Sequence, residues 1–299
     1  MWFRNLQIYR LSPAWDFPSE RLSPALQRGA ILGAGATDRV AHGWLPPRGV
    51  QDEWVFAVQR QQLIALGVEQ RLLPAGVVRQ YAQEKLAAIE AAQGYRAGKK
   101  QVREVVEQIE LELLPRAFIK RSRIPVWIDP VNRWLAVDAP SSTRGDEVLE
   151  QLRLSLDDLP VSLIKTAVSP GASMTQWLAE GAAPGRFAID LDCELRAADE
   201  GRAAVRYVRH SLDCDDVRGH IAAGKTATRL ALTWNDRVSF VLTEQLQIKR
   251  LVFLDVLKEE VERQVDNADE LFAASFILMC GELSQLLQEL LEALGGELE

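Results

Sequence analysis

The sequence predicts an α+β fold: mixed sheets, a protruding helical hairpin and C-terminal helices. Three observations lead there. Strand-like and helix-like segments come in mixed blocks, without the regular βαβ alternation of a parallel sheet. Two helical stretches, Val77–Gln93 and Val102–Leu114, are separated only by a glycine- and lysine-rich linker. Apolar residues at helical spacing and many acids share the last forty-five residues.

Residues 1–12 alternate loosely (Trp2, Leu6, Ile8, Tyr9, Leu11) and open the chain as a strand. A short helix follows over Ser19–Gln27, with Ser19 as its cap and Pro24 in its early turns. Gly29, Gly33 and Gly35 break the pattern, and Trp44–Arg48, with two prolines, reads as a rigid turn. Glu53–Val58 and Gln61–Leu72 read as hairpin-like strands.

Pro74 and Gly76 mark a switch to the two helices. Val78, Tyr81, Leu86 and Ile89 recur on one, and Val102, Val105, Val106, Ile109 and Leu113 on the other. The linker Gly94–Lys100 joins them into a hairpin, which Pro115 ends. Strands resume at Pro125–Asp129 and Trp134–Asp138, followed by a helix over Ser142–Ser155 and a strand over Leu159–Ile164. After Ser169-Pro170-Gly171 a second unit begins. It has a helix around Trp177 capped by Ser173 or Thr175, a strand over Ala203–Val208, and a helix Cys214–Ala223 capped by Asp213. Strands follow over Lys225–Trp234, Val238–Leu242 and Ile248–Phe253. Acidic helices near Val256–Val265 and from Asp269 to about Leu294 finish the chain. The expected division is 1–75 with 124–168 as a central α+β region, 76–123 as a hairpin tip region, and 169–299 as a second α+β region.

Composition bounds function. Cys193, Cys214 and Cys280 are too few and too scattered for a disulfide framework or a zinc site, which favours a reducing, cytoplasmic setting. No targeting segment is evident, and the apolar run Phe272–Gly281 is about half a membrane span, so it reads as a buried helix. Net charge is −7, but twelve acids and only two bases lie after residue 254. The preceding residues carry a balance of +3 and leave room for a basic surface.

That surface has two candidate parts. Gly94–Arg123 holds eight bases and four acids, including Lys99, Lys100, Arg116, Lys120, Arg121 and Arg123. Arg202–Arg229 holds six bases and three acids, including Arg206, Arg209, Lys225 and Arg229. Such cations grip backbone phosphates and carry no sequence information. No helix gathers Asn, Gln and Arg at its start, so binding should be non-specific. Phe118 sits between these cations, where a core position is awkward, and a pocket on a partner chain suits it better.

Other motifs are weaker. Gly219–Thr226 fits the pattern of a nucleotide-binding P-loop, and an ATPase is the alternative function. The expected order is wrong, however: a P-loop runs from strand to helix, whereas here the first glycine is helical and Lys225 opens a strand. Gly33-Ala34-Gly35 lacks the third glycine of a dinucleotide fingerprint. His210 and Cys214 straddle a helix start, and Asp190, Asp192 and Glu194 read as a solvated edge. No catalytic group, metal site or cofactor is expected.

Several quoted stretches together resemble the RdgC family of bacterial recombination-associated proteins. They are Trp2–Leu6 with Tyr9–Leu11, Gly43–Pro47, Leu113–Phe118 followed by Trp127–Asp129, His220–Lys225, Leu230–Trp234 and Phe276–Leu283. They span nearly the whole chain in one order. The resemblance implies a ring-shaped homodimer whose basic hole encircles double-stranded DNA, with single-stranded DNA a further candidate ligand. It implies no enzymatic activity, and restraint of the RecA recombinase by competition for DNA, with direct contact to RecA left open. It implies a nucleoid-associated protein, with no membrane. It also implies one subunit contact at the hairpin tips, with Phe118 at the matching position, and another through the C-terminal region. Family members often carry Lys-Gln-Asp-Leu where this chain reads Arg209-His210-Ser211-Leu212.

Overall fold

The computed structural model describes residues 1–257 and 267–298. It is α+β, built on two antiparallel sheets. The first sheet runs β2 (Val40–Leu45), β4 (Gln61–Leu72), β5 (Phe118–Asp129), β6 (Trp134–Val137), β1 (Gln7–Leu11) and β7 (Val161–Leu163), with β3 (Phe56–Val58) paired to β4. The second runs β12 (Ile248–Phe253), β11 (Val238–Thr243), β10 (Lys225–Trp234), β8 (Phe187–Ala197) and β9 (Ala204–Tyr207).

Strand alternation decides the layering. On β4 and β5 the even positions Ile64, Leu66, Val68, Ile124, Val126 and Ile128 meet α1 (Ser19–Arg28) and α4 (Ser142–Ser155). The odd positions Leu63 and Trp127 face the other way, into a larger core shared with the second sheet. Between the sheets lies α7 (Ala268–Ala293), whose Phe276, Met279, Leu283, Leu286, Leu287 and Leu290 are fully buried. By length and composition α7 could cross a membrane, and its apolar side is spent on two sheets. Helices α5 (Pro170–Glu180) and α6 (Asp215–Ala222) cover the same side of the second sheet through Met174, Trp177, Leu178 and Val217. The opposite side of that sheet has no helix on it among the described residues.

The layers are tied by polar contacts. Asp129 is fully buried; it accepts the Val131 and Asn132 amides and the Ser284 hydroxyl of α7, each at 3.0 Å. Leu6 exchanges backbone hydrogen bonds with Ile248, so the N-terminal segment runs onto the edge strand of the second sheet.

The helical hairpin is present as α2 (Ala75–Gln93) and α3 (Lys99–Leu113). It has its own small core of Val78, Ala82, Val105 and Ile109, which is why it can stand off the body. Gly94 ends α2 in the left-handed conformation that glycine favours, at φ 76°.

Several local expectations need correction. Pro18, not Ser19, stands at the N-cap of α1, and no side chain caps it. Ser169 caps α5 through its hydroxyl, in place of Ser173 or Thr175, because Pro170 suits the first helical position. Cys214 rather than Asp213 precedes α6. Trp44 and Leu45 end a strand instead of opening a turn. β8 is not among the expected strands, although its apolar positions alternate with Asp190, Asp192 and Glu194. Strand β5 begins at Phe118, seven residues before Pro125, because β4 is long enough to pair it. The expected helix near Val256–Val265 lies largely outside the described residues.

Candidate nucleic-acid interface

β4 and β5 form an uninterrupted antiparallel ribbon from Gln62↔Ile128 to Leu72↔Phe118. Its outer half projects beyond the core and carries the basic stretch. Being a strand, that stretch sends its side chains to two faces. Arg121 and Arg123 share the face of Trp127; Phe118 and Lys120 share the face of Ile124. Arg121 pairs with Glu69 at 2.8 Å and stays largely exposed. Arg123 donates to the Pro47 carbonyl at 2.9 Å. Arg116 sits in a 3-10 turn just before the strand.

Lys99 and Lys100 are exposed in the first turn of α3, where no side chain caps the helix. The uncapped amides and the two ammonium groups make that end attractive to anions. It is far from Phe118, however. The hairpin tip is the turn 94–98, and Phe118 lies at the root, one length of α3 away, about 22 Å for fifteen residues. Phe118 is therefore not at the tip. It is 85% exposed, and its cross-strand neighbour Leu72 is 46% exposed, so the root carries an uncovered apolar pair.

The second group gathers on the open side of the second sheet. Arg206, Glu194 and Arg229 stand in one row across β9, β8 and β10. Burial pushes the Glu194 carboxyl up, but the Thr228 hydroxyl and the charges of Arg229 and Arg196 outweigh it and leave it below its ordinary value. Arg209, at φ 52°, donates its amide to Asp192 at 2.8 Å. Lys225 does not join them. It points to the α6 side, with its ammonium 2.9 Å from Nδ1 of His220.

Two cations outside both expected basic stretches do join: Lys249 and Arg250 of β12. They line the same concavity as Arg206 and Arg229. The signal was a pair of adjacent cations inside an apolar strand, and a bulge at Arg250, φ 51°, lets both reach the open side.

The Gly219–Thr226 segment runs from helix through Gly224, φ 84°, into a strand. No helix N-terminus follows it to meet phosphates. Among the described residues, no three His, Cys, Asp or Glu side chains group as a metal site requires. Cys193 and Cys280 are buried free thiols, and burial pushes Cys193 up to about 11.

With that geometry in place, comparison with known proteins identifies relatives over the whole chain. The profile of a family described as "RdgC: Putative exonuclease, RdgC" matches residues 1–297. The chain is 49% identical over 300 residues to the recombination-associated protein RdgC of Dechloromonas aromatica (strain RCB), covering 99% of this chain and 98% of that protein. It is 48% identical to the protein of the same name from Janthinobacterium sp. (strain Marseille), covering 100% and 99%. The Bordetella pertussis (strain Tohama I) protein of that name is also 48% identical, covering 99% of each chain.

Proposed function

The chain belongs to the RdgC family, and from that premise we propose that it is a non-enzymatic, non-sequence-specific DNA-binding protein of homologous recombination. It works as a homodimer that closes around double-stranded DNA and restrains RecA by competing for DNA. The observation that carries this reading is the pair of uncovered basic surfaces: the outer β4–β5 ribbon and the open side of the second sheet. Both hold exposed guanidinium groups on rigid strands, the arrangement that grips phosphates without reading bases. The exposed Phe118–Leu72 pair, next to the half-exposed Ile119, offers an apolar contact through which two chains can associate.

A titration of duplex affinity against salt, run beside a mass measurement, tests the proposal. With some six phosphates neutralised, log affinity falls with log salt at a slope of about −5. A slope near zero, or a monomer at binding concentrations, overturns it. The family description favours one second reading, an exonuclease. Incubation of linear duplex with magnesium or manganese decides it: shortened ends would establish the enzyme, and intact ends at full binding support the binding role.

A further inference from the structure

Arg206, Arg229 and Lys249 belong to three different strands, yet they line a single small cavity on the open side of the second sheet. Arg250, Glu194 and Asp192 complete its charged wall. Both carboxylates are already engaged. Glu194 takes the Arg196 guanidinium at 2.7 Å and the Thr228 hydroxyl at 2.9 Å. Asp192 takes the Arg209 amide at 2.8 Å and Arg250 at 3.2 Å. Among the described residues, no carboxylate lies within ion-pair distance of Arg206, Arg229 or Lys249.

Like charges so placed repel one another, more strongly where water is partly excluded. Lys249 registers this: burial, and then the Arg229 charge, hold its ammonium below the ordinary lysine value. A bound anion would relieve both costs. The cavity, about 50 Å³, has room for roughly three or four water-sized groups. It is far smaller than the ~300 Å³ and upward of an organic-ligand pocket. That size and charge suit one tetrahedral oxyanion with separate oxygens for separate donors.

We infer that this cavity seats a single phosphate group of a nucleic-acid backbone, held by Arg206, Arg229 and Lys249. The inference rests on the DNA-binding reading above and deepens it: the open face of the sheet does not merely attract DNA but fixes one phosphate. Such a seat sets the position of the duplex on the sheet, as phosphate contacts do elsewhere, while leaving sequence unread.

The test uses the full-length protein and Lys249→Gln, which removes the charge and keeps a polar chain of similar reach. Relief of repulsion should leave the variant at least as stable, so loss of fold is not expected. Arg229→Gln serves as a second variant. Two quantities are followed: the salt slope of duplex binding, and broadening of the phosphorus resonance of inorganic phosphate by the protein alone. The expected result is a slope shallower by about 0.9 in each variant, with broadening present in wild type, suppressed by added duplex and lost in the variants. If broadening is lost but the slope is unchanged, the cavity takes free phosphate and not the DNA backbone, and the inference fails. If neither quantity changes, there is no seat, although the wider DNA-binding reading survives. Absence of any duplex binding by wild type would overturn that wider reading and this inference together.

Discussion

Glu69 and Arg121 stand directly opposite each other on β4 and β5, and the carboxylate binds the guanidinium Nε at 2.8 Å. Their environments differ sharply. Glu69 is 8% exposed, whereas the Arg121 side chain is 78% exposed. The carboxylate also accepts the Ala34 amide at 3.0 Å, anchoring the Gly33–Gly35 loop to the ribbon. One buried acid therefore restrains a cation on the proposed DNA surface.

Glu69→Gln should free that cation. The Gln carbonyl can still accept the Ala34 amide, so the loss at pH 7 should be that of one ion pair between a buried acid and an exposed, solvent-screened base, about 1 kcal/mol. The Glu69 carboxyl lies below its ordinary value, through the Ala34 hydrogen bond first and then, against some burial, through Arg121 and Arg71. A depressed carboxyl stabilises the fold above its unfolded pKa, about 4.3. That stability is lost as pH falls through the folded value. Denaturant melts should thus show the wild-type advantage at pH 7 closing below about pH 4. Duplex affinity should rise a few-fold, by roughly 1 kcal/mol or less of removed opposing charge. An affinity that falls would show that the pair orients Arg121 for binding.

Phe118→Ser separates folding from assembly. With 85% of Phe118 exposed in the single chain, its loss should change chain stability by no more than about 0.5 kcal/mol. In a two-fold dimer both copies are lost, and each buried Phe contributes about 1.5–3 kcal/mol. Sedimentation should show dimerisation weaker by roughly 3–6 kcal/mol, with looser retention on DNA. An unchanged dimer and unchanged DNA affinity would remove Phe118 from the interface.

The two sides of each sheet make different predictions for cations of the same charge. The double variant Arg121→Gln, Arg123→Gln should make the salt slope shallower by about 1.8 if each contacts a phosphate. Lys225→Gln should change it little, because the ammonium is directed at His220 on the α6 side. Equal effects from all three would mean that long-range charge, not contact, sets the affinity.

Asp129 offers a test of the layering. Asp129→Ala leaves the Val131 and Asn132 amides, the Asn132 side-chain amide at 2.8 Å and the Ser284 hydroxyl without their acceptor. These hydrogen bonds are part-buried and water can reach the freed donors, so each lost bond costs about 0.5–1.5 kcal/mol, and thermal melting should show a combined loss of roughly 2–6 kcal/mol. Ser284→Ala removes only the link from α7 to the first sheet and should cost about 1 kcal/mol. Were the two variants equally mild, the Asp129 hub would not hold the layers.

Much was legible in the residues themselves. Helical spacing and the glycines located α2, α3 and α7, and apolar strands with polar turns located β10, β11 and β12, nearly to their ends. These signals are local: a period of 3.6 or 2, a proline, a left-handed glycine. The same local reading failed where pairing with a distant strand overruled it. Phe118–Arg123 looks like a charged linker, and it is a strand because β4 lies beside it. β8 looks like an acidic edge, and it is a central strand because β9 and β10 flank it.

By itself, then, the sequence determined that this is an α+β chain with a helical hairpin, an acidic C-terminal end and two basic stretches. Only the tertiary structure decided which of those cations share a surface. Strand alternation parts Lys120 from Arg121 although they are neighbours in the chain. Sheet pairing joins Arg206, Arg229 and Lys249 although some forty residues separate the first from the last. Charge is written into the chain one residue at a time, but an electric field at a surface is summed over positions in space.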